Sequence, residues 1–379
     1  MSDPTLVNPV PYDPSFEKPE DDEAQTTTEL VDTMHQIAVT VADQTGHAMR
    51  SVHAKSHGLL RGELRIHQSL PAQLAQGLFA RPASYPVVLR LSTPPAEELP
   101  DNVSLPRGMA IKIMGVPGER LPGSAGDTTQ DFVLIDFPTF GSPNARHFVK
   151  AVKLVAKTTD KSPGGKQFLS ALLRGTEKVI EAFGGESDAI KGIGGHPQTH
   201  PLGETFYTQL PLLYGRYMAK ISIVPVSAAL TALTGAPLDM KGKPDAMREA
   251  VAEFFSRAAA PAEWELRVQL CSDFEKMPIE DASVAWPEDQ SPFIAVATLS
   301  VQPQAALTAE QSRIADDRLA FSPWHGIAAH RPLGSLMRVR QAVYADSARF
   351  RSGRNGCPMH EPRVDDAADA MPASRPVSV

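Results

Sequence analysis

A chain of 379 residues with 42% hydrophobic composition can bury a sizeable core, as one large domain or two smaller ones. A formal net charge of -7 and the lack of any long Lys/Arg block argue against a nucleic-acid partner. Cys271 and Cys357, the only cysteines, are too few for a disulfide framework and lack zinc-site spacing, which fits a reducing compartment.

In chain order, residues 1–24 are acidic and proline-rich, lack the apolar core of a secretory signal, and are expected to form an irregular arm. The domain itself is expected over residues 25–352. Alternating apolar residues bounded by Pro or Gly predict strands from Tyr85 to Leu91, Gly108 to Met114, Phe132 to Asp136, Tyr217 to Val224, Trp264 to Cys271 and Phe293 to Val301. Short strands so widely spaced suggest an antiparallel sheet or barrel. Helical spacing predicts helices from Ala145 to Thr158 and from Lys166 to Phe183, and the stretch from Pro244 to Ala259 starts with a proline suited to a first helical turn. The glycine-rich stretch from Gly184 to Gly203 reads as an exposed loop. Residues 353–379, with four prolines, read as a flexible tail. No run approaches the ~18 apolar residues of a membrane span. The expectation is a soluble, cytoplasmic protein that is not transmembrane.

Two segments far apart in the chain carry the chemistry. Arg50-Ser-Val-His53-Ala-Lys55 offers a histidine. Arg338-Val-Arg340-Gln-Ala-Val-Tyr344 sets an arginine and a tyrosine four residues apart without Gly or Pro, where a helix would place the guanidinium beside the phenol oxygen. A phenol titrates near ~10, so it needs a fixed guanidinium or a bound ferric ion to become an anion at neutral pH. Tyrosinate is one of the few axial ligands proteins use for haem iron. Spacing alone fits a partly buried helix tyrosine beside a surface arginine better.

The wider pattern reverses that preference. Six strings run in order: Arg50 to Lys55, Val88-Leu-Arg90-Leu-Ser-Thr93, Pro106-Arg-Gly108-Met-Ala-Ile-Lys112, Pro138-Thr-Phe140, Leu319-Ala-Phe-Ser-Pro323 and Arg340 to Tyr344. In this order and spacing the chain, from about Met34 to Arg351, resembles the haem catalase superfamily. The resemblance implies an α+β fold, an antiparallel eight-stranded β-barrel with flanking helices and with haem b, carrying ferric iron, packed against its wall. It implies Tyr344 as the axial ligand, Arg340 as the group stabilising its anionic form, and Arg50, Arg90 and Arg351 as partners of the haem propionates. Val52, Phe140 and Phe148 are the expected packing surfaces. His53 is expected to shuttle the peroxide proton, with Ser92 orienting its ring.

Departures from the family pattern bear on function. Aligned through Pro138 and Phe140, Ile135 takes the place of a distal amide, and a slip of one residue would put Asp136 there instead. Tyr217 stands where the family has a histidine, and Gly334 where it has an acidic residue. The string His330-Arg-Pro-Leu-Gly334 is similar to the branch of small catalase-related peroxidases and fatty-acid hydroperoxide-converting enzymes. The expectation is an oxidoreductase, a haem peroxidase that reduces hydrogen peroxide or organic hydroperoxides through a ferryl intermediate, with an organic electron donor. The alternatives are a fatty-acid hydroperoxide isomerase or dehydratase, and a non-catalytic haem-binding protein. The sequence leaves room for a homo-oligomer.

Overall fold

The computed structural model describes residues 7–103, 105–159, 197–305 and 307–364. Among them nine strands form one antiparallel sheet: β1 (Lys55–Ile66), β2 (Ser84–Thr93), β3 (Gly108–Ile113), β4 (Gln130–Ile135), β5 (Phe206–Tyr207), β6 (Leu212–Tyr214), β7 (Tyr217–Pro225), β8 (Ala262–Leu270) and β9 (Ile294–Val301). The order β5-β4-β3-β2-β1-β9-β8-β7 closes on itself because β5 also pairs with β7. This is the eight-stranded antiparallel barrel that was expected, and β6 hangs on β7 as a hairpin through Tyr214↔Tyr217.

The alternation explains the wall. Along β2, Val87, Leu89 and Leu91 point inward and join Ile111, Phe132, Leu134, Ile221, Trp264 and Val268 in the barrel core. Each such side chain contributes roughly 1.5–3 kcal/mol on burial. The intervening Val88, Arg90 and Ser92 face outward, where they are buried by other elements. The longer helices among the described residues are α1 (Glu23–Thr45), α2 (Ala145–Thr159), α3 (Ala246–Arg257), α4 (Ala309–Arg318) and α5 (Ser335–Asn355). Leu30 and Met34 of α1, Val149 of α2 and Leu336, Val339 and Val343 of α5 form a second core beside the barrel. In a third, Ala315 of α4 packs with Leu59, Val88, Leu319 and Phe321, and the outward Ala110 and Val133 lie against it.

Strand β1 escapes the sequence pattern because a bulge between Ser56 and Gly58 breaks its alternation before Leu60, Leu64 and Ile66 restore it. The last helix runs on to Asn355, past the expected boundary at 353. Beyond it Glu361 pairs with Lys112, whose ammonium also bonds both oxygens of Asp131 at 2.9 and 2.8 Å. The helix expected from Lys166 to Phe183, residues 184–196 of the expected loop, and residues 365–379 of the expected tail lie outside the described residues. Among the described residues no helix is long and apolar enough to cross a membrane.

Candidate functional site

The site is built on the outer face of β2, β3 and β4. Residues directly opposite on neighbouring strands point to the same face. The registers Ser92↔Gly108 and Gly108↔Ile135 therefore place Ser92, Gly108 and Ile135 in one outward row. Asp136, next along, turns to the opposite face, where its charge is felt by Arg107. It is Ile135 that shares the row with Ser92.

His53 lies just before β1 with φ +57°, a left-handed conformation uncommon for a residue with a side chain. Its ring rests on Gly108: a Cβ there would fall 2.6 Å from His53 Cε1 and 2.7 Å from Nδ1. Ser92 Oγ is 3.2 Å from Nδ1. Burial, then the charges of Arg90, Arg340 and Arg50, pull the imidazole down to a pKa of about 3, so it is neutral at ordinary pH.

Beside it, Arg50, Arg90 and Arg351, expected at the haem propionates, converge on Asp316, a partner the sequence did not disclose. Asp316 on α4 accepts from Arg90 Nε at 2.7 Å and Nη2 at 3.0 Å, and pairs with Arg50 Nη1 at 2.8 Å. Arg351 Nη1 donates to the Asp316 carbonyl at 2.8 Å, and Arg50 Nη2 to the Leu319 carbonyl at 2.8 Å. Although burial alone would raise it, the guanidiniums of Arg50 and Arg90 hold the Asp316 carboxyl at about 2. Arg90 spends its remaining donors on the chain, Nη1 on the His53 carbonyl at 3.0 Å and Nη2 on that of Ala54 at 3.1 Å. The expected propionate partners thus divide: Arg90 braces the His53 segment, while Arg50 and Arg351 hold the end of α4 through Asp316 and the Leu319 carbonyl. Burial lowers the pKa of Arg351 to about 10, and its Nε is buried without a partner.

Helix α5 reaches the site at two points. Its Arg340 end is felt electrostatically by His53, and its Arg351 end grips α4. Tyr344, four residues beyond Arg340 and seven before Arg351, falls on the stripe between them. The Arg340 guanidinium lies 5.3 Å from the ring centroid of Phe140, which meets Phe148 edge-on at 5.1 Å. Val52 is 41% exposed, while Val133, Ile135, Phe140, Phe148 and Tyr344 are half-buried. The residues suit a flat apolar ligand with an anionic edge: apolar side chains are left partly uncovered, and of three guanidiniums gathered at Asp316 two pair with its carboxylate and one with its carbonyl.

The sequence matches no protein-family model and no curated protein. Solved structures do match. A fungal catalase aligns at 18% identity and TM-score 0.58, covering 94% of this chain and 67% of its own. Catalase A from Saccharomyces cerevisiae aligns at 15% and 0.56, covering 93% and 68%, and a bacterial catalase at 16% and 0.57, covering 91% and 63%. The chain has a catalase-like fold.

Within this catalase-like fold the departures have local explanations. Tyr217, at the position where the resemblance implies a histidine, belongs to the barrel core, and its hydroxyl accepts from Arg216 at 2.7 Å. Gly334 stands where an acidic residue was implied because φ is +86° there, and a Cβ would lie 2.2 Å from the Ile279 carbonyl oxygen. The acid comes from elsewhere: Glu280 accepts from Ser335 N at 2.8 Å at the start of α5 and pairs with Arg338 at 2.9 Å. His330 of the same string is a core residue. Its Nε2 accepts from Leu78 N at 3.0 Å and its Nδ1 donates to the Leu213 carbonyl at 3.2 Å. Asp316 and Glu280 were missed because nothing in their local sequence marks partners so distant along the chain.

Proposed function

We propose that the chain is a haem-dependent peroxidase that reduces hydrogen peroxide or an organic hydroperoxide. The observation that supports this best is His53: a neutral imidazole braced against Ser92 and Gly108 and close enough to Arg340 to feel its charge. Haem b would be held by the Tyr344 oxygen, by Arg50 and Arg351 at its carboxylate edge, and by Val52, Phe140 and Phe148 against its faces. When bound, haem supplies the redox-active iron at which the peroxide O–O bond is broken.

The chain's own groups handle the proton. For Nε2 to accept it from the peroxide, Nδ1–H must donate to Ser92 Oγ, which fixes the tautomer. The same ring can then return that proton to the departing oxygen. An organic donor, of the phenolic class, supplies the two electrons that the reduction consumes. Ile135 puts an apolar side chain where a dismutating enzyme would orient a second peroxide. That favours a second reading, in which a fatty-acid hydroperoxide is rearranged or dehydrated without an external reductant.

The test is product analysis on haem-reconstituted protein with hydrogen peroxide and with an unsaturated fatty-acid hydroperoxide, each with and without a phenolic donor. Donor oxidation is expected with little oxygen release. Rearranged lipid without donor selects the second reading, and failure to develop a Soret band on adding haem would sink both.

A further inference from the structure

We infer that Asp316, acting through Arg90, is a positioning residue for His53. The role given to His53 rests on the peroxidase reading above, but the geometry stands apart from it. A left-handed residue with a side chain persists only where its surroundings over-determine it. Around His53 they do. Arg90 donates to two successive carbonyls, His53 at 3.0 Å and Ala54 at 3.1 Å. Ala54 N donates to the Pro95 carbonyl at 3.0 Å, and Ser92 and Gly108 fix the ring.

Arg90 is itself 2% exposed and reaches these carbonyls from β2 with its planar fork held from behind by Asp316 through two bonds, at 2.7 and 3.0 Å. Asp316 is a firm anchor because the end of α4 is held at three places: its carboxylate by Arg50, its carbonyl by Arg351, and the Leu319 carbonyl by both. The line α4 to Asp316 to Arg90 to the 53–54 carbonyls makes the docking of a polar surface helix a condition for the placement of the histidine. A role confined to charge is a different matter. Neutralising Asp316 would leave Arg90 uncompensated and push the His53 pKa lower still, whereas releasing the segment into water would raise it towards ~6.5. The charged groups that bear on the ring are Arg50, Arg90 and Arg340.

The experiment follows the His53 ring Cε1–H by NMR between pH 4 and 8 in the full-length chain without haem, the resonance being assigned with His53→Gln. In the wild type this ring should not titrate. In Asp316→Asn, and in Arg90→Lys, which keeps the charge but cannot span both carbonyls, it should titrate within about one unit of the ordinary ~6.5. A ring that stays silent over this range in either folded variant overturns the inference. If Asp316→Asn does not fold, Asp316→Glu, with the carboxylate displaced by one methylene, is judged by the same criterion. The measurement needs neither haem nor peroxide, so failure of the peroxidase reading and failure of this inference are separate results.

Discussion

At the scale of single residues, Ile135 shows what the sequence could and could not convey. Spacing from Pro138 and Phe140 leaves Ile135 and Asp136 both open, and the strand register separates them by facing only Ile135 towards the row of Ser92 and Gly108. If Ile135 limits dismutation, Ile135→Asn should shift the reconstituted protein from donor oxidation towards oxygen release. Vigorous oxygen evolution by the wild type would refute the idea. His53→Ala should bind haem but lose about 10²–10⁴-fold in the rate of peroxide cleavage, measured by stopped flow. A loss of only a few-fold would transfer the proton to another group. Tyr344→Phe removes the only atom at that position able to bind iron, so an unchanged Soret band would eliminate it as ligand. Asp316 was illegible for a physical reason: it lies in a short polar helix, and its importance comes from three arginines brought to it from residues 50, 90 and 351.

At the scale of elements, the six strands with clean alternation were legible, while β1 was hidden by its bulge and β5 and β6 by their brevity. The acidic N-terminal stretch reads as an arm by composition. What its charges do is visible only in space: Glu17 and Glu23 join Glu280 around Arg338 of α5. Burial opposes the charged form of Arg338, yet the carboxylates of Glu23 and Glu280 raise its pKa. The start of the helix bearing Arg340 and Tyr344 is therefore set by Gly334 and Glu280 together. Gly334→Ala should cost at least the ~1–3 kcal/mol of an unfavourable backbone conformation, with the contact to the Ile279 carbonyl in addition. Urea denaturation measures it, and a change below about 0.5 kcal/mol, the scale of an ordinary surface substitution, would show that α5 tolerates another entry.

For the whole molecule, the order of six short strings was enough to expect the barrel through the resemblance they carry, whereas alternation alone reached an antiparallel sheet or barrel and is interrupted by the bulges in β1 and in the β8–β9 pairing. Stability against acid depends on histidines buried in neutral form. Burial lowers His330 to about 4, below the ~6.5 of an unfolded chain. Between those values the unfolded state binds more protons, so stability falls as pH falls, by roughly 3 kcal/mol for this residue alone. His330→Asn should flatten the dependence of the urea midpoint between pH 7 and 5, and a slope equal to that of the wild type would argue against it. The closure of the barrel has a further consequence. The ladder from Lys55↔Thr93 to Arg65↔Ser84 is long, but β5 pairs with β4 through the single register pair Ile135↔Tyr207 and with β7 through Phe206↔Ile223 and Tyr207↔Ser222, extended by Thr208 bonding Ile221. A cylinder parts first along its weakest line, so the amides of Ile135 and Tyr207 should exchange with deuterium through small local openings while those of β1 and β2 wait for global unfolding. The residue proposed to limit dismutation thus lies on the thinnest seam of the described wall.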